Sequence, residues 1–399
     1  MPGPVDNGSA FRSPVTDGEP AWEAIRAAFA PQYPMINLNN AAISPAPLVV
    51  QDAMIKAYRF ANGEPDVNMW KSLDLALPET KRKLSILADC DVSEVAINRN
   101  ATEGLCTAIF GIPIRSGDEV LVADWDYPSM RTAWGQRAKR EGVVVRPVQY
   151  GLMDDDDVVV EAYTRAITPR TKVMHLTHMA HWTGRVLPIE RLCALADELD
   201  IRTVVDAAQS FAHIPLSFRK MRCDYLATSL HKWLGAPFGT GMLIVKSSRI
   251  DETWPLFGTF EQEPHGIDKF DHWNLGTYCS PLENAIGTAI DFHNEIGTER
   301  MHARLRELSK YWVEQAADVT GLRIHTPMNS PNLAAVTLFS IEGLGVEAIE
   351  KRLSEEYKIH ARLRRQFDLA GIRVSPHIYT RKSELDQFVS ALRRIAQTA

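Results

Sequence analysis

Short apolar runs that alternate with helical stretches constrain the fold of this 399-residue chain more than any other feature. The runs are rich in β-branched residues and occupy residues 119–123, 142–146, 172–176, 202–206 and 241–245. Strands of this kind are typical of a sheet that is buried on both faces, and the helices between them are the crossovers that parallel strands require. The pattern predicts an α/β fold with a mostly parallel sheet covered by helices.

The rhythm of the chain changes after about residue 283. Two helical stretches, 283–295 and 299–317, precede short strands around 334–339 and 371–374. An amphipathic helix from Ser383 closes the chain, and Ser383 and Asp386 are predicted to cap it.

These changes divide the chain into three parts. Residues 1–20 are rich in Gly, Pro, Ser and Asp without periodicity, and we predict that they form a flexible arm. We assign residues 21–283 to a large domain and residues 284–399 to a smaller α+β domain. The first fifteen or so residues of the large domain are also candidates for packing on the small one.

Composition excludes several classes of partner. Lys and Arg number 44 against 50 Asp and Glu, a net charge of -6, so we expect no basic face for nucleic acid. No apolar run approaches the roughly 20 residues of a membrane helix, and no signal core precedes residue 20. Five cysteines without a C-x-x-C pair indicate reduced thiols. We therefore expect a cytoplasmic protein that binds neither membrane nor nucleic acid.

Polar residues directly after the apolar runs are candidates for ligand binding, because ligands of parallel α/β sheets bind beyond the carboxyl ends of the strands. Asp206 ends one run, and a buried carboxylate there needs a cation. Lys232 precedes the glycine-rich residues 235–241, and a lysine in such a setting can lose its proton and attack a carbonyl. A helix that opens near Asn100 offers free N–H groups to an anion. Together these features suggest pyridoxal phosphate.

The same residues resemble the class V aminotransferase family, which has fold type I of the pyridoxal-phosphate enzymes. Asp206 with Gln209, and Ser229 with His231 and Lys232, resemble the family's core motif. The resemblance runs in order from about residue 21 to the C-terminus. It also includes positions in five other regions of the family pattern. These are Asn39 and Ala41 in the entry segment, Asn100, Ala101 and Thr102 in the phosphate loop, Tyr127 at the ring-stacking site, Thr277 in the Gly-Thr pair, and Arg373 in the carboxylate-binding segment.

The resemblance implies a role for each of these residues. Lys232 is expected to form a Schiff base with pyridoxal 5'-phosphate and to move protons at the substrate's α-carbon through a quinonoid. Asp206 is expected to keep the pyridine nitrogen protonated, and Tyr127 to stack on the ring. Gln209 is expected to contact the ring hydroxyl. The phosphate is expected to be held by Ser229, His231, Asn100, Ala101 and Thr102.

The substrate side of the site is also implied by the resemblance. Arg373 is expected to clamp the carboxylate of an amino acid, with Asn39 and Ala41 beside it. Thr277 is expected to reach the phosphate of a partner subunit, which implies a homodimer with shared active sites.

Three histidines, His175, His178 and His181, follow one another at intervals of three, and three imidazoles can bind zinc. A strand over 172–176 puts His175 and His178 on opposite faces, which argues against a metal site. The family resemblance places His181 near the ring hydroxyl of the cofactor. The alternative is that His181 has a purely structural role. We predict no metal.

The last third of the chain departs from the cysteine desulfurases of the family, which need a thiol there. No cysteine follows Cys279, so we predict that the protein is not a cysteine desulfurase. The corresponding stretch carries Arg362, Arg364 and Arg365 instead. These arginines belong either to a solvated basic edge strand or to a binding site for a second anionic group of the substrate.

Within the family, the chain resembles the isopenicillin N epimerase-like group most. The features that carry this resemblance are residues 39–42, Tyr127, residues 181–184 and the missing cysteine. The predicted function is therefore a pyridoxal-phosphate-dependent enzyme that acts on the α-carbon of an amino acid, by transamination or epimerisation. A carbon–sulfur lyase that works by β-elimination is the first alternative, and a non-catalytic, cofactor-binding regulatory protein is the second.

Overall fold

The computed structural model describes residues 12–13, 18–29, 35–259 and 266–397. The predicted flexible arm over residues 1–20 lies mostly outside these ranges, so its flexibility stays a prediction.

Fourteen α-helices are present in the described ranges: α1 (Glu19–Arg26), α2 (Leu48–Ala61), α3 (Pro65–Asn68), α4 (Leu77–Ala88), α5 (Ala101–Gly111), α6 (Pro128–Glu141), α7 (Asp156–Ala166), α8 (Ile189–Glu198), α9 (Phe218–Met221), α10 (Ser247–Ile250), α11 (Ser280–Ile296), α12 (Thr298–Gln315), α13 (Val346–Glu355) and α14 (Lys382–Ala396). The strands of the same ranges are β1 (Ile36–Asn37), β2 (Val95–Asn98), β3 (Glu119–Ala123), β4 (Val144–Val148), β5 (Thr171–Thr177), β6 (Arg202–Asp206), β7 (Tyr225–Ser229), β8 (Gly241–Val245), β9 (Leu322–Ile324), β10 (Thr337–Ile341), β11 (Ile359–His360), β12 (Arg362–Gln366) and β13 (Leu369–Val374). None of the helices described here has the length and apolar character that a bilayer crossing needs.

A seven-stranded sheet with the order β2-β8-β7-β6-β5-β3-β4 forms the centre of the large domain. Strand β8 runs antiparallel to β7 and β2, and the remaining pairs are parallel. The predicted mostly parallel sheet is confirmed. The structure corrects the run at 142–146, because Gly142 (φ 76°) takes a left-handed conformation that ends α6, so that β4 begins only at Val144.

Both faces of this sheet are buried, which explains the continuous apolar runs in the sequence. Along β3 and β5, Leu121 and Met174 point into the apolar core on one face, whereas Val120 and Val173 point into the core on the other. This alternation is the two-residue period of a strand with helices packed on each side.

The second domain is built on an antiparallel sheet with the order β12-β13-β10-β9, which packs against α12, α13 and α14. Its core contains Trp312, Phe339 and Phe388, whose ring centroids lie 5.4 to 5.9 Å apart in edge-to-face contacts. Such aromatic geometry stabilises a core beyond the area that it buries. The predicted strand at 334–339 is corrected to Thr337–Ile341.

The predicted boundary at residues 283 and 284 falls inside helix α11, and the division of the chain at that point stays a prediction. The buried side of α11 belongs to the apolar core of the large domain, as does Leu305 of α12. Leu308, less than one turn later, belongs to the core of the small domain. The apolar contacts of the chain therefore pass from one core to the other within α12.

The predicted cap of helix α14 is also corrected, because Ser383 and Asp386 do not cap it. The carboxylate of Glu384 accepts the backbone N–H of Arg381 at 2.8 Å, and Asp386 accepts the hydroxyl of Tyr311 instead. Glu384 also forms an ion pair with Arg26 of α1 at 2.9 Å. The N-terminal helix is thereby tied to the small domain.

The start of α5 is held against the sheet by close backbone packing at Gly104. A Cβ at this position would lie 2.7 Å from Nδ2 of Asn98 and 2.8 Å from Cβ of Ala227. Contacts this short are not tolerated in a packed interior, so only glycine lets α5 approach the strands so closely.

We expect Gly104→Ala to lower the free energy of unfolding by about 1–3 kcal/mol, because the added methyl overpacks the contact between α5 and the sheet. Gly135→Ala is the matched control. Gly135 is also inside a helix, but its added Cβ would meet nothing within 4 Å. That change should raise stability by about 0.5–1 kcal/mol through helix propensity. Denaturant unfolding measures both, and stabilisation by the two variants alike would contradict the close approach of α5.

Candidate active site

The carboxyl ends of three neighbouring strands meet at one edge of the large sheet. Thr177, Asp206 and Ser229 are the last residues of β5, β6 and β7, and Thr177 lies directly opposite Asp206 in the register. A cavity of about 340 Å³ opens at this edge, within the range of small-molecule sites. It is lined by all the predicted site residues except Asn39 and Thr277, namely Ala41, Asn100, Ala101, Thr102, Tyr127, His181, Asp206, Gln209, Ser229, His231, Lys232 and Arg373.

A larger cavity, of about 650 Å³, lies elsewhere and contains none of these residues. Its buried carboxylate, Asp271, already has partners: it pairs with Lys81 at 2.5 Å and accepts the N–H of Ile97 at 2.8 Å. Because these charges are compensated within the protein, we take the strand-edge cavity as the candidate site.

The amino end of α5 forms one wall of the site and offers hydrogen-bond donors. Asn100 caps the helix, its side chain accepting the N–H of Glu103 at 2.9 Å. The N–H of Ala101 donates to Oγ of Ser229 at 3.0 Å, so the Ser229 hydroxyl hydrogen is left for another acceptor. Nδ1 of His231 contacts the carbonyl of Thr240 at 3.0 Å, which leaves Nε2 free. Free donors at a helix start fit a phosphate group.

Lys232 lies in the turn after β7, largely removed from water. Burial lowers the pKa of its amine to about 8, against the opposing effect of Asp206, and the cations of Arg373 and Arg364 contribute to the lowering. An amine with this pKa has a substantial neutral fraction near pH 7, as a nucleophile toward an aldehyde requires.

Asp206 is buried in the same cavity and makes no direct ion pair with Lys232 among the described contacts. Its Oδ1 accepts the N–H of Ala208 at 2.8 Å, and Oδ2 has no hydrogen-bond partner in the described chain. Burial raises the pKa of this carboxyl, which is the expected effect of desolvation. A protonated pyridine nitrogen would supply a cationic partner for Asp206, so the residues at this end of the cavity also fit pyridoxal phosphate.

A second buried carboxyl, Asp126, lies behind the site. It accepts the Thr177 hydroxyl at 2.6 Å and the N–H of Ala123 at 2.7 Å. Burial raises the pKa of Asp126 to about 7, and the neighbouring Asp206 raises it further. Thr177 lines the cavity although the sequence did not single it out; its signal was its place as the last residue of a strand.

Tyr127 and His181 form another wall of the cavity. Tyr127 precedes α6, is 42% exposed, and packs edge-on against His181 with ring centroids 5.2 Å apart. Burial, with Arg373 and other cations nearby, holds the pKa of His181 well below its ordinary value. His181 is therefore neutral near pH 7 and suited to hydrogen bonding rather than to storing a proton. The stacking role of Tyr127 stays a prediction.

Gln209 lines the cavity, but its amide is already bonded within the protein. Nε2 donates to the carbonyl of Ala41 at 2.8 Å, and Oε1 accepts from the indole of Trp233 at 3.0 Å. These bonds join the entry segment to the turn that carries Lys232. Contact of Gln209 with a ring hydroxyl stays a prediction.

Arg373 on β13 is 1% exposed and reaches the cavity from the small domain. It donates to the carbonyl of His181 and to Oδ1 of Asn39, both at 2.9 Å. Asn39 does not line the cavity and acts through Arg373. Burial, followed by the charges of Arg364 and Arg362, lowers the pKa of Arg373 to about 9.

Arg373 differs from the other buried arginines of the described chain, because it has no carboxylate partner. Arg137 pairs with Glu141, Arg185 with Asp156, and Arg304 with Glu19. A buried guanidinium with only neutral acceptors is costly on its own and binds a carboxylate ligand strongly.

Thr277 and the other two histidines lie apart from this chemistry. Thr277 is exposed and does not line the cavity. His175 packs edge-on toward Trp134 with centroids 6.5 Å apart, whereas His178 contacts the Ser210 hydroxyl at 2.8 Å. The described residues contain no cluster of His, Cys, Asp or Glu that could hold a metal ion.

Comparison with known proteins assigns the family. The family model for class-V aminotransferases matches residues 36–388, and the chain belongs to that family. It is 29% identical over 397 residues to isopenicillin N epimerase from Amycolatopsis lactamdurans, with 94% of this chain and 99% of that protein covered. It is 26% identical over 386 residues to a probable cysteine desulfurase from Synechocystis sp., with 90% of each covered.

Solved structures confirm the fold. A lysine-to-alanine mutant of C-DES, with glycine covalently linked to its PLP cofactor, superposes with a TM-score of 0.84 at 22% identity and covers 92% of this chain and 98% of its own. The cysteine desulfurase CsdA from Escherichia coli gives a TM-score of 0.83 at 22% identity, with 96% and 100% covered. Since relatives and structural neighbours include cysteine desulfurases, the comparisons do not support the exclusion of that activity.

The low pKa of Lys232 predicts how the apoenzyme takes up pyridoxal phosphate. The neutral amine fraction reaches half at about pH 8 and levels off roughly one pH unit higher, whereas an ordinary lysine reaches half only at about pH 10.4 and gains neutral amine beyond that. The rate at which the visible absorption of the attached cofactor appears should follow the same curve. A rate that keeps rising to pH 10 would contradict the lowered pKa, and Lys232→Ala should give no such band.

Proposed function

We propose that this protein is a pyridoxal-5'-phosphate-dependent enzyme that moves a proton at the α-carbon of an amino acid, in transamination or epimerisation. The observation that carries the proposal is one cavity lined by Lys232, whose pKa is about 8, by Asp206, whose Oδ2 accepts no hydrogen bond from the described residues, and by Arg373, which has no carboxylate partner among them. Each of these groups lacks an ion-pair partner within the described chain, and the cofactor or the substrate supplies a group that it binds.

The cofactor is pyridoxal 5'-phosphate, which supplies an electron sink for the electron pair left when a bond at the α-carbon breaks. Asp206 keeps a proton on the ring nitrogen, because a buried carboxylate that forms no direct ion pair favours the charged pyridinium. Ser229, His231 and the start of α5 hold the phosphate. The chain thereby fixes both ends of the ring.

Lys232 is the proton carrier of the proposed reaction. A general acid or base works best when its pKa lies near the operating pH, and a value of about 8 meets that condition. Its neighbour His181 is less suited, because its low pKa leaves it without a proton to give. Arg373 binds the α-carboxylate and so determines which bond at the α-carbon is aligned for cleavage.

Persulfide chemistry is not part of the proposal. No cysteine lines the cavity, and the last cysteine of the sequence is Cys279. Burial raises the pKa of Cys90 and of Cys193 to about 12, so neither is an available thiolate at neutral pH.

Incubation of the holoenzyme with L-amino acids in heavy water tests the proposal. We expect deuterium to replace the α-hydrogen of at least one amino acid, and Lys232→Ala to slow the exchange by at least about 10³-fold, since general acid–base catalysis alone contributes that much. Keto acid without ammonia indicates transamination, and D-amino acid indicates epimerisation.

Two other results would contradict this assignment. Ammonia with a released thiol or sulfide would identify a β-eliminating lyase instead. No exchange with any amino acid, despite bound cofactor, would identify a protein that binds the cofactor without turnover.

We also propose a homodimer with shared sites, in which Thr277 of one subunit contacts the phosphate of the other. Its exposure and its absence from the cavity of its own chain support this arrangement. Isologous dimers bring the same surface of each subunit to the interface, so both sites are completed together.

Hybrid dimers test the shared site. Lys232→Ala chains and Thr277→Ala chains should each show little activity alone. Random hybrids contain one intact site in about half of the dimers, so co-expression should restore about a quarter of the wild-type activity. Activity no higher than that of the parents would contradict sharing, and size-exclusion chromatography of the parents controls for dimer formation.

A further inference from the structure

The three arginines of β12 do different things in the structure. Arg362 pairs with Glu350 at 3.6 Å, and Arg365 pairs with Glu347 at 2.7 Å. The side chains of Arg362 and Arg365 are more than half exposed, so these pairs are typical surface ion pairs of little energetic weight.

Arg364 alone among them lines the candidate active site. It is half-buried, and its Nε is buried without a hydrogen-bond partner in the described chain. No carboxylate of the described residues forms an ion pair with it. A guanidinium that has left water without gaining an acceptor is unfavourable unless a ligand provides one.

The hairpin of β12 and β13 is fixed to the large domain at its tip, so Arg364 is held over the cavity. Gln366 donates to the carbonyl of Asp124 at 2.7 Å. Phe367 packs edge-on against Trp125 with centroids 5.6 Å apart, and the Arg131 guanidinium lies 5.6 Å from the same ring. These contacts position the arginine before any ligand binds, which reduces the entropic cost of binding.

The charge of the cavity is unbalanced toward cations at the substrate end. Lys232, Arg364 and Arg373 line it, and Asp206 is its only carboxylate. Burial, and then the charge of Arg362, lowers the pKa of Arg364 against the smaller opposing effect of Glu350, as expected for a cation that forms no ion pair. The α-carboxylate of an amino acid compensates one guanidinium and leaves the other without a partner.

We propose that Arg364 binds a second carboxylate, on the side chain of the substrate, and that the enzyme therefore acts on acidic amino acids. This inference rests on the proposed function. The planar fork of a guanidinium matches a carboxylate in two parallel hydrogen bonds, which selects a carboxylate over an amide of the same shape.

The test compares matched acids and amides on the holoenzyme. L-glutamate is compared with L-glutamine, and L-aspartate with L-asparagine, through the change that each causes in the visible absorption of the cofactor. We expect at least one acid to bind about tenfold or more tightly than its amide, the discrimination that a half-buried charge pair provides. Arg364→Gln should bring that ratio to about one and leave the affinity for the amide unchanged, which also shows that the variant is folded.

Two further variants separate this role from its alternatives. Arg365→Gln, whose arginine pairs with Glu347 at the surface, should keep the preference for the acid. Arg373→Gln should weaken acid and amide alike, since both carry the α-carboxylate. Equal affinities in the wild type, or an unchanged ratio in Arg364→Gln, would overturn the inference while leaving the proposed function intact. A cofactor spectrum that responds to no amino acid would overturn both.

Discussion

The structure depends on the desolvation of a few charged groups at one edge of a parallel sheet. Asp206 and Arg373 are buried and Lys232 is largely removed from water, and none of the three forms an ion pair with another residue that the structure describes. Burial lowers the pKa of the lysine to about 8 and raises the pKa of the aspartic acid. In the proposed function the same constraint provides a reactive amine, an acceptor for a ring cation and a clamp for a carboxylate.

The site is formed between the two domains, and their contacts decide its shape. The entry segment is pinned to the small domain by Asn40, which donates to the carbonyl of Ser375 at 2.9 Å and accepts from the hydroxyl of Tyr379. Arg373 reaches across to the carbonyl of His181 in the large domain. In the proposed function the groups that hold the cofactor lie at the edge of the large sheet and Arg373 lies on the small one, so we expect changes in the small sheet to alter substrate choice without disturbing the cofactor.

Much of this arrangement could be predicted from the sequence, and the exceptions have physical reasons. The apolar runs revealed the sheet, and the motifs grouped Lys232, Asp206 and Arg373, which line one cavity in the structure. The predicted domain boundary falls inside α11, whereas the apolar contacts pass from one core to the other within α12, because an amphipathic pattern does not show on which core a helix packs. Arg364 could not be separated from Arg362 and Arg365, since only tertiary contacts show that two of the three have carboxylate partners. The cap of α14 was assigned to the wrong residues because neighbouring polar side chains compete for the same N–H groups.

The central claim is that Lys232 is the residue to which pyridoxal phosphate attaches. Reduction of the holoenzyme with sodium borohydride makes the attachment permanent, and mass spectrometry of proteolytic peptides then locates it. The account predicts a pyridoxyl mass on the peptide that contains Lys232 and on no other lysine peptide. A label on a different lysine, or none in a protein that retains the cofactor, would contradict it.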